Sequence, residues 1–290
     1  MRQRTISAIG VVLVGIVPAL FGGPVWAALL VVVGLLSLHE LHVMSRALGR
    51  TPLRSGYVVV PVVVIGVALR PGSELLLGLL SALVLVSLTE ALARGNAVGS
   101  TLDWATDCAF GAYLAIPLAA AVALRQIDGE IDGKWLSDIA DDLSLGWEAA
   151  PRGLAWLLFV IVVTWLSDTG AYVVGRSFGR RPLAPSVSPK KTVEGLLGGY
   201  VSAAIAAAAA NAAFGLGIPW WALIPGTVVI ATVGVVGDLA ESLLKRQAGI
   251  KDSGRLIPGH GGVLDRIDAL LFAWSAGLLV VVAVDRVVAS

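Results

Sequence analysis

Nine apolar runs, each close to the ~20 residues that an α-helix needs to cross a bilayer, dominate this chain of 290 residues. They fall near 5–22, 24–44, 57–70, 73–93, 105–124, 151–175, 193–214, 219–237 and 266–288. In lipid, only helices or closed barrels satisfy their own backbone. Runs of this length therefore predict an all-α polytopic membrane protein. Composition agrees. Of all residues, 57% are hydrophobic and 14% charged, with a mean hydropathy of +0.87, whereas soluble domains average about 25% charged. A net charge of +1 leaves no global field that would draw in nucleic acid. The single cysteine, Cys108, forms no internal disulfide and has no metal-site spacing. Arg2 and Arg4 ahead of an apolar run imitate a signal peptide. A cut near Trp26 would enter the next run at Pro24, so the first run reads as an uncleaved span.

Positive charge orients the spans. With the N-terminus inside, the inner segments hold Arg2, Arg4, Arg46, Arg50, Arg54, Arg94, Arg176, Arg180, Arg181, Lys190, Lys191, Lys245, Arg246, Lys251, Arg255 and Arg266. Only Arg70, Arg125, Lys134, Arg152 and Arg286 of the 21 Lys+Arg fall outside. Nine spans, N-terminus cytoplasmic and C-terminus outside, are expected, and an eight-span count would scramble the bias. The expected layout is five helices over 1–124, an acidic outer loop over 125–150, and a C-terminal domain over 151–290. That domain carries helices six to nine and cytoplasmic loops at 176–192 and 238–265. The outer loop carries Asp128, Glu130, Asp132, Asp138, Asp141, Asp142 and Glu148 without an EF-hand pattern, and reads as solvated.

Two weaker features lie in the first half. Residues 37–49 (SLHELHVMSRALG) resemble 87–95 (SLTEALARG), and each places a carboxylate, Glu40 or Glu90, at the inner end of an even-numbered span. The likeness fits an internal repeat or chance in a Leu/Val/Ala-rich chain. His39 and His42 share a helical face but lack the H-E-x-x-H spacing of a zinc site, and read as an interfacial pair.

The chemistry collects in three polar islands of the second half, all on the inner side. Ser167-Asp168-Thr169-Gly170 closes the sixth span. A carboxylate at the centre of a spanning helix costs roughly 2.5–3.5 kcal/mol and marks a functional candidate; nearer the edge, a basic partner would suffice. The second island is Gly175 to Gly195, whose Pro and Gly residues preclude one long helix. Ser188-Pro189-Lys190-Lys191-Thr192-Val193-Glu194-Gly195 reads there as a loop feeding a helix start, where free N–H groups and two lysines favour an anion. A plain positive-inside loop would also explain its charge. The third runs from Gly237 to Asp268. Asp238, Glu241 and Lys245 share one helical face. A Gly-rich basic loop follows, then Asp265 and Asp268 open the last span. Hard oxygen ligands facing phosphate-binding cations point to Mg²⁺ and to phosphoryl or nucleotidyl transfer at the membrane face. The residues do not name the nucleotide, and no Walker A or Rossmann pattern occurs.

Ser242-x-Leu244-Lys245-Arg246, Lys251-Asp252-x-Gly254 and Pro258-x-His260-Gly261-Gly262-x-x-Asp265-Arg266-x-Asp268 resemble the signature of the phosphatidate cytidylyltransferases, the CDP-diacylglycerol synthases. Ser167-Asp168-Thr169-Gly170-Ala171-Tyr172 and the Ser188–Gly195 stretch agree with it. The resemblance is specific from about 165 to 270; the first half resembles that family only in hydropathy and span count. It implies transfer of a cytidylyl group from CTP to phosphatidic acid, with Mg²⁺, by an often dimeric integral protein of a prokaryotic plasma (inner) membrane, acting at the cytoplasmic face in phospholipid synthesis. It implies Asp238 and Asp265 as first metal ligands and Asp268 and Glu241 as the next. Asp265, Asp238, Lys245 and Asp168 become the catalytic set. Lys190, Lys191, Lys245 and Arg246 would neutralise the triphosphate, and Ser188, Pro189, Lys190, Lys191, Thr192, Glu194 and Gly195 would cradle it. Lys251 joins the substrate-binding residues, and His260, Gly261 and Gly262 would close the site. Two alternatives stand beside this: a CTP-dependent enzyme with a polyprenol or archaeal ether-lipid acceptor, and an anion transporter with Gly-broken helices. The clustering of charge at one face speaks against the transporter.

Overall fold

The computed structural model describes residues 2–288 apart from Pro71, Asn96, Ala97, Gly146, Glu148, Pro258 and His260. Ten helices and one small hairpin follow in order: α1 (Arg2–Phe21), α2 (Gly23–Ala47), α3 (Gly56–Leu69), α4 (Ser73–Ala93), α5 (Ser100–Arg125), α6 (Lys134–Leu143), α7 (Pro151–Phe178), β1 (Pro182–Ala184), β2 (Ser188–Thr192), α8 (Val193–Phe214), α9 (Trp220–Gln247) and α10 (Leu264–Val288). Among the described residues, seven helices are long and apolar enough to cross a membrane: α2, α4, α5, α7, α8, α9 and α10. Two apolar helices are shorter, Val12–Phe21 within α1 and the whole of α3. At 1.5 Å per residue, the 14 residues of α3 extend only about 21 Å. This is an all-α polytopic membrane protein. Prolines inside α1, α3, α5 and α9 (Pro18, Pro61, Pro117, Pro225) are accommodated, as they are where neighbouring groups re-satisfy the freed carbonyls.

The chain forms two compact units. One comprises Met1–Pro18, Gly23–Ala123 and Leu244–Ile267. Its core is aliphatic, with Leu30, Leu38, Leu41, Val60, Val63, Leu114 and Leu118 almost fully buried. A polar seam crosses this apolar packing. Ser55, at the N-cap of α3, donates from Oγ to Asp107 Oδ2 at 2.8 Å, and His42 Nε2 lies 3.3 Å from Asp107 Oδ1. His42 is thus buried against α5, while exposed His39 reaches Tyr57 Oη at 3.3 Å. The two histidines face different polar partners yet both meet Tyr57, whose ring packs edge-to-face on His42 at 5.1 Å.

The second unit comprises Ala19–Gly22, Leu124–Leu243 and Asp268–Ser290. The first half of α7 is its axis, buried on every side from Gly153 to Ile161. Helices α7 and α8 pack through small residues, as membrane helices do. A Cβ on Gly198 would collide with the side chain of Val174. Arg125 is a buried rivet: Nε donates to Ala19 O, Nη2 to Leu20 O, and Nη1 to Ala149 O and Ala150 O, at 2.8–3.2 Å. The acidic segment is folded. Its helix α6 buries Leu136 and Ala140 one turn apart, and Trp135 Nε1 donates to Ala213 O at 2.7 Å. Its spacing is amphipathic, and Asp138, Asp141 and Asp142 are exposed on the other face, beside a half-exposed Trp135.

Candidate active site

In the second unit, α7 runs on past its buried half. Its 28 residues span about 42 Å, more than the ~30 Å of a hydrocarbon core. Its last turns carry Asp168, Tyr172, Gly175 and Arg176 on one face at helical spacing. The hairpin follows. β1 and β2 pair antiparallel, Pro182 opposite Thr192 and Ala184 opposite Ser188. Glu194 ties its base, accepting from Arg180 N at 2.9 Å and Arg181 N at 3.1 Å. Thr192 caps α8 by accepting from Gly195 N at 3.1 Å, and Val193 N donates to Arg181 O at 2.9 Å. Two of the first N–H groups of α8 are therefore used locally, so anion binding at this helix start would fall to lysine side chains more than to backbone.

Together with α9, these elements line an open cavity of about 580 Å³. Its polar wall holds Asp168, Arg176, Lys190, Lys191, Thr192 and Asp238; Ala171, Leu183, Leu196 and Val235 form an apolar wall. Lys191 Nζ lies 2.6 Å from Asp238 Oδ2. Ser242 Oγ donates to Asp238 Oδ1 at 3.3 Å, and Arg176 Nη1 donates to Tyr172 Oη at 2.9 Å. Asp168 stands within electrostatic range of both Lys191 and Asp238. Two carboxylates and three cationic side chains thus share one space.

A separate cluster lies in the first unit. Asp265, in the first turn of α10, accepts at Oδ1 from Lys245 Nζ at 2.6 Å. Its Oδ2 accepts from Ser253 N at 2.8 Å, Ser253 Oγ at 2.9 Å and Gly262 N at 2.8 Å. Ile257 N donates to Gly261 O at 2.9 Å, which folds the Gly-rich loop back on itself. Lys251, Asp252 and Arg255 are exposed around it. One residue here escaped the motifs altogether. Glu40, in α2, accepts from Ser253 Oγ, Val263 N and Leu264 N at 2.7–2.9 Å. The available signal was a carboxylate at the inner end of an apolar run.

A sequence model of the Cytidylyltransferase family matches residues 2–284. The chain belongs to that family. Proteins named phosphatidate cytidylyltransferase resemble part of it. The one from Staphylococcus saprophyticus is 44% identical over 126 residues, 43% of this chain and 48% of the relative. That from Bacillus subtilis is 48% identical over 120 residues, 41% of this chain and 45% of the relative. That from Staphylococcus aureus is 41% identical over 126 residues, 43% and 48% of the two chains. The matched stretch spans just under half the length of these relatives.

For this member of the family, the residues singled out by sequence divide as follows. Asp168, Lys190, Lys191, Thr192, Gly195 and Asp238 line the cavity. Lys245, Gly262 and Asp265 form the other cluster, with Gly261 beside it. Ser188 and Pro189 lie in β2 instead of a loop, and Glu194 serves the hairpin. Glu241 is fully buried on α9, and Asp268 Oδ1 accepts from Ala269 N at 2.8 Å; neither lines the cavity. Arg246 Nη1 donates to Ile250 O at 3.3 Å. His260 lies outside the described residues.

The cavity suits a Mg²⁺ ion that arrives with phosphate. Among the described residues no group of three or more His, Cys, Asp or Glu side chains could hold a metal by itself. Mg²⁺ needs only one or two carboxylates when phosphate oxygens and water complete its shell, and Asp168 with Asp238 supplies that number. Asp265 already accepts four protein hydrogen bonds.

Proposed function

We propose that this chain transfers the cytidylyl group of CTP to phosphatidic acid, giving CDP-diacylglycerol and pyrophosphate in phospholipid synthesis. The observation that carries this reading is the Lys191–Asp238 pair at 2.6 Å beside Asp168, in a cavity also lined by Lys190 and Arg176. Such a set matches a polyphosphate and its metal better than it matches a neutral ligand. The names of the relatives support the choice of nucleotide and lipid.

In this reading a phosphate oxygen of the lipid forms a bond to the α-phosphorus of CTP. The α–β bridging P–O bond breaks, and pyrophosphate leaves with its electrons. No covalent enzyme intermediate is needed, because a phosphate monoester carrying roughly −1.5 to −2 charge is itself the nucleophile. Lys190, Lys191 and Arg176 offset the repulsion between two anionic substrates. Asp168 and Asp238 would hold Mg²⁺, which supplies Lewis-acid stabilisation of the transferring and leaving oxygens when bound. Lys191 is partly exposed, so it can exchange Asp238 for a triphosphate oxygen at small cost.

We also infer nine spans, the N-terminus cytoplasmic and the C-terminus outside, in a prokaryotic plasma (inner) membrane, with the cavity at the cytoplasmic face and the enzyme acting as a homodimer. The distribution of Lys and Arg supports the orientation, and the family resemblance supports the dimer. A cysteine introduced within 125–150 should label from outside intact cells and one within 177–187 should not; the reverse pattern would overturn the orientation. For the reaction, purified protein in detergent should convert labelled CTP and phosphatidic acid to CDP-diacylglycerol with Mg²⁺, and EDTA should stop it. Failure to form that product, or preferential labelling of a polyprenol acceptor offered alongside, would sink the assignment.

A further inference from the structure

Glu40 lies in the half of the chain where the family motifs are silent, yet its carboxylate touches the centre of the signature. Only 7% of the residue is exposed, on a stretch of α2 whose other buried residues include Leu38, Leu41 and Met44 as well as Ser37, His42 and Ser45. A buried carboxylate is costly unless its lone pairs are filled. Three donors fill them, all from residues 253–264. Ser253 Oγ donates to Oε2 at 2.7 Å, Leu264 N to Oε2 at 2.9 Å, and Val263 N to Oε1 at 2.8 Å. The two backbone donors open α10, where N–H groups have no intrahelical acceptor and the helix dipole favours an anion. Glu40 therefore caps α10 from another helix.

The same carboxylate explains two glycines of the signature. A Cβ on Gly254 would lie 2.6 Å from Glu40 Oε1, and one on Gly262 would strike both Glu40 oxygens. The neighbours of Glu40 are also those of Asp265: Ser253 Oγ lies between the two carboxylates and shares its one hydrogen with them, and Gly262 N donates to Asp265. Glu90 offers an internal comparison. It ends α4 in a similar local sequence and accepts from Arg54 N and Ser55 N at 2.7–2.9 Å, at the start of α3. Both carboxylates cap a helix in trans, but only Glu40 reaches the signature loop.

We infer that Glu40 is a positioning residue: it fixes the 253–264 loop, and with it the Lys245–Asp265 pair, in the arrangement used for cytidylyl transfer. This rests on the preceding reading only for the reaction it serves. The test uses the full chain carrying Glu40→Gln, Glu40→Ala or Glu90→Gln. Hydrogen exchange, measured without substrate, should rise in residues 253–266 for both Glu40 variants and only around 54–58 for Glu90→Gln. In the transfer assay, Glu40→Gln should lower kcat about tenfold or more while KM for CTP stays within about twofold, the sign of lost positioning more than lost binding. Glu90→Gln should leave kcat unchanged. Unaltered exchange over 253–266 in Glu40→Gln would overturn the inference, and so would raised exchange with wild-type kcat. A wild-type protein that transfers nothing from CTP would remove the reaction, while the exchange arm would still decide the positioning. A second pair guards against simple misfolding. Gly254→Ala should impair the wild type, and in Glu40→Ala the added methyl should enter vacated space, so the two losses are less than additive. Strict additivity would mean that Glu40 and the loop are not coupled, contrary to the inference.

Discussion

Two lysine–carboxylate pairs have the same separation, 2.6 Å, and opposite surroundings. In Lys191–Asp238 the side chains are 25% and 28% exposed; in Lys245–Asp265 they are 10% and 6% exposed. Around Asp265, Ser253 and Gly262 supply three further hydrogen bonds, whereas Asp238 has one weak donor, Ser242. A partly exposed pair is worth about 0–1 kcal/mol, and its members change partners readily. Removing one partner of a buried pair costs roughly 3–5 kcal/mol. The first pair can part at little cost, and the second is built to stay.

Substitutions can break this contrast in order of expected size. Asp265→Ala takes the carboxylate from a buried lysine and from the loop, so thermal unfolding should move down by the equivalent of roughly 3–5 kcal/mol and transfer should vanish. An unchanged Tm would show that the pair is not a strut. Asp238→Asn should lower transfer by on the order of 100-fold with Tm within a few degrees of wild type. A large stability loss there would erase the distinction between the pairs. Lys191→Ala should raise KM for CTP about tenfold, equivalent to ~1.4 kcal/mol, and the effect should shrink at high salt as screening grows. Activity that is indifferent to this change would remove Lys191 from the phosphate site. Smallest of all, Glu194→Gln should speed proteolysis of 180–192 and raise KM for CTP about twofold, because only the base of the hairpin loosens. Cleavage at the wild-type rate would show that Glu194 is not its tie.

Helix positions were largely legible in the sequence, because apolar length is a local property. The expected runs 151–175 and 193–214 lie within or coincide with α7 and α8. The hairpin was not. Ser188 to Thr192 has little strand propensity, and its register depends on Glu194 reaching back to Arg180 and Arg181. The amphipathic spacing of α6 was present in the sequence but masked by its acidic residues. At the site, Asp168 stood out as a carboxylate late in an apolar run, and Lys191 and Asp238 as members of the polar islands between runs. Glu40 carried a local signal too, but its meaning rests on contacts 213 to 224 residues away, which no spacing reveals.

That separation has a consequence for how the chain is made. Val263 lies 223 positions after Glu40. At ~5–20 residues per second of synthesis, the carboxylate waits on the order of 10–45 s for its donors. During that interval the carboxylate must find other donors, because an unsatisfied one is costly away from water. The first half of the protein reaches its final state only after the last helix has been started, so a stalled chain carries an α2 whose carboxylate lacks these donors.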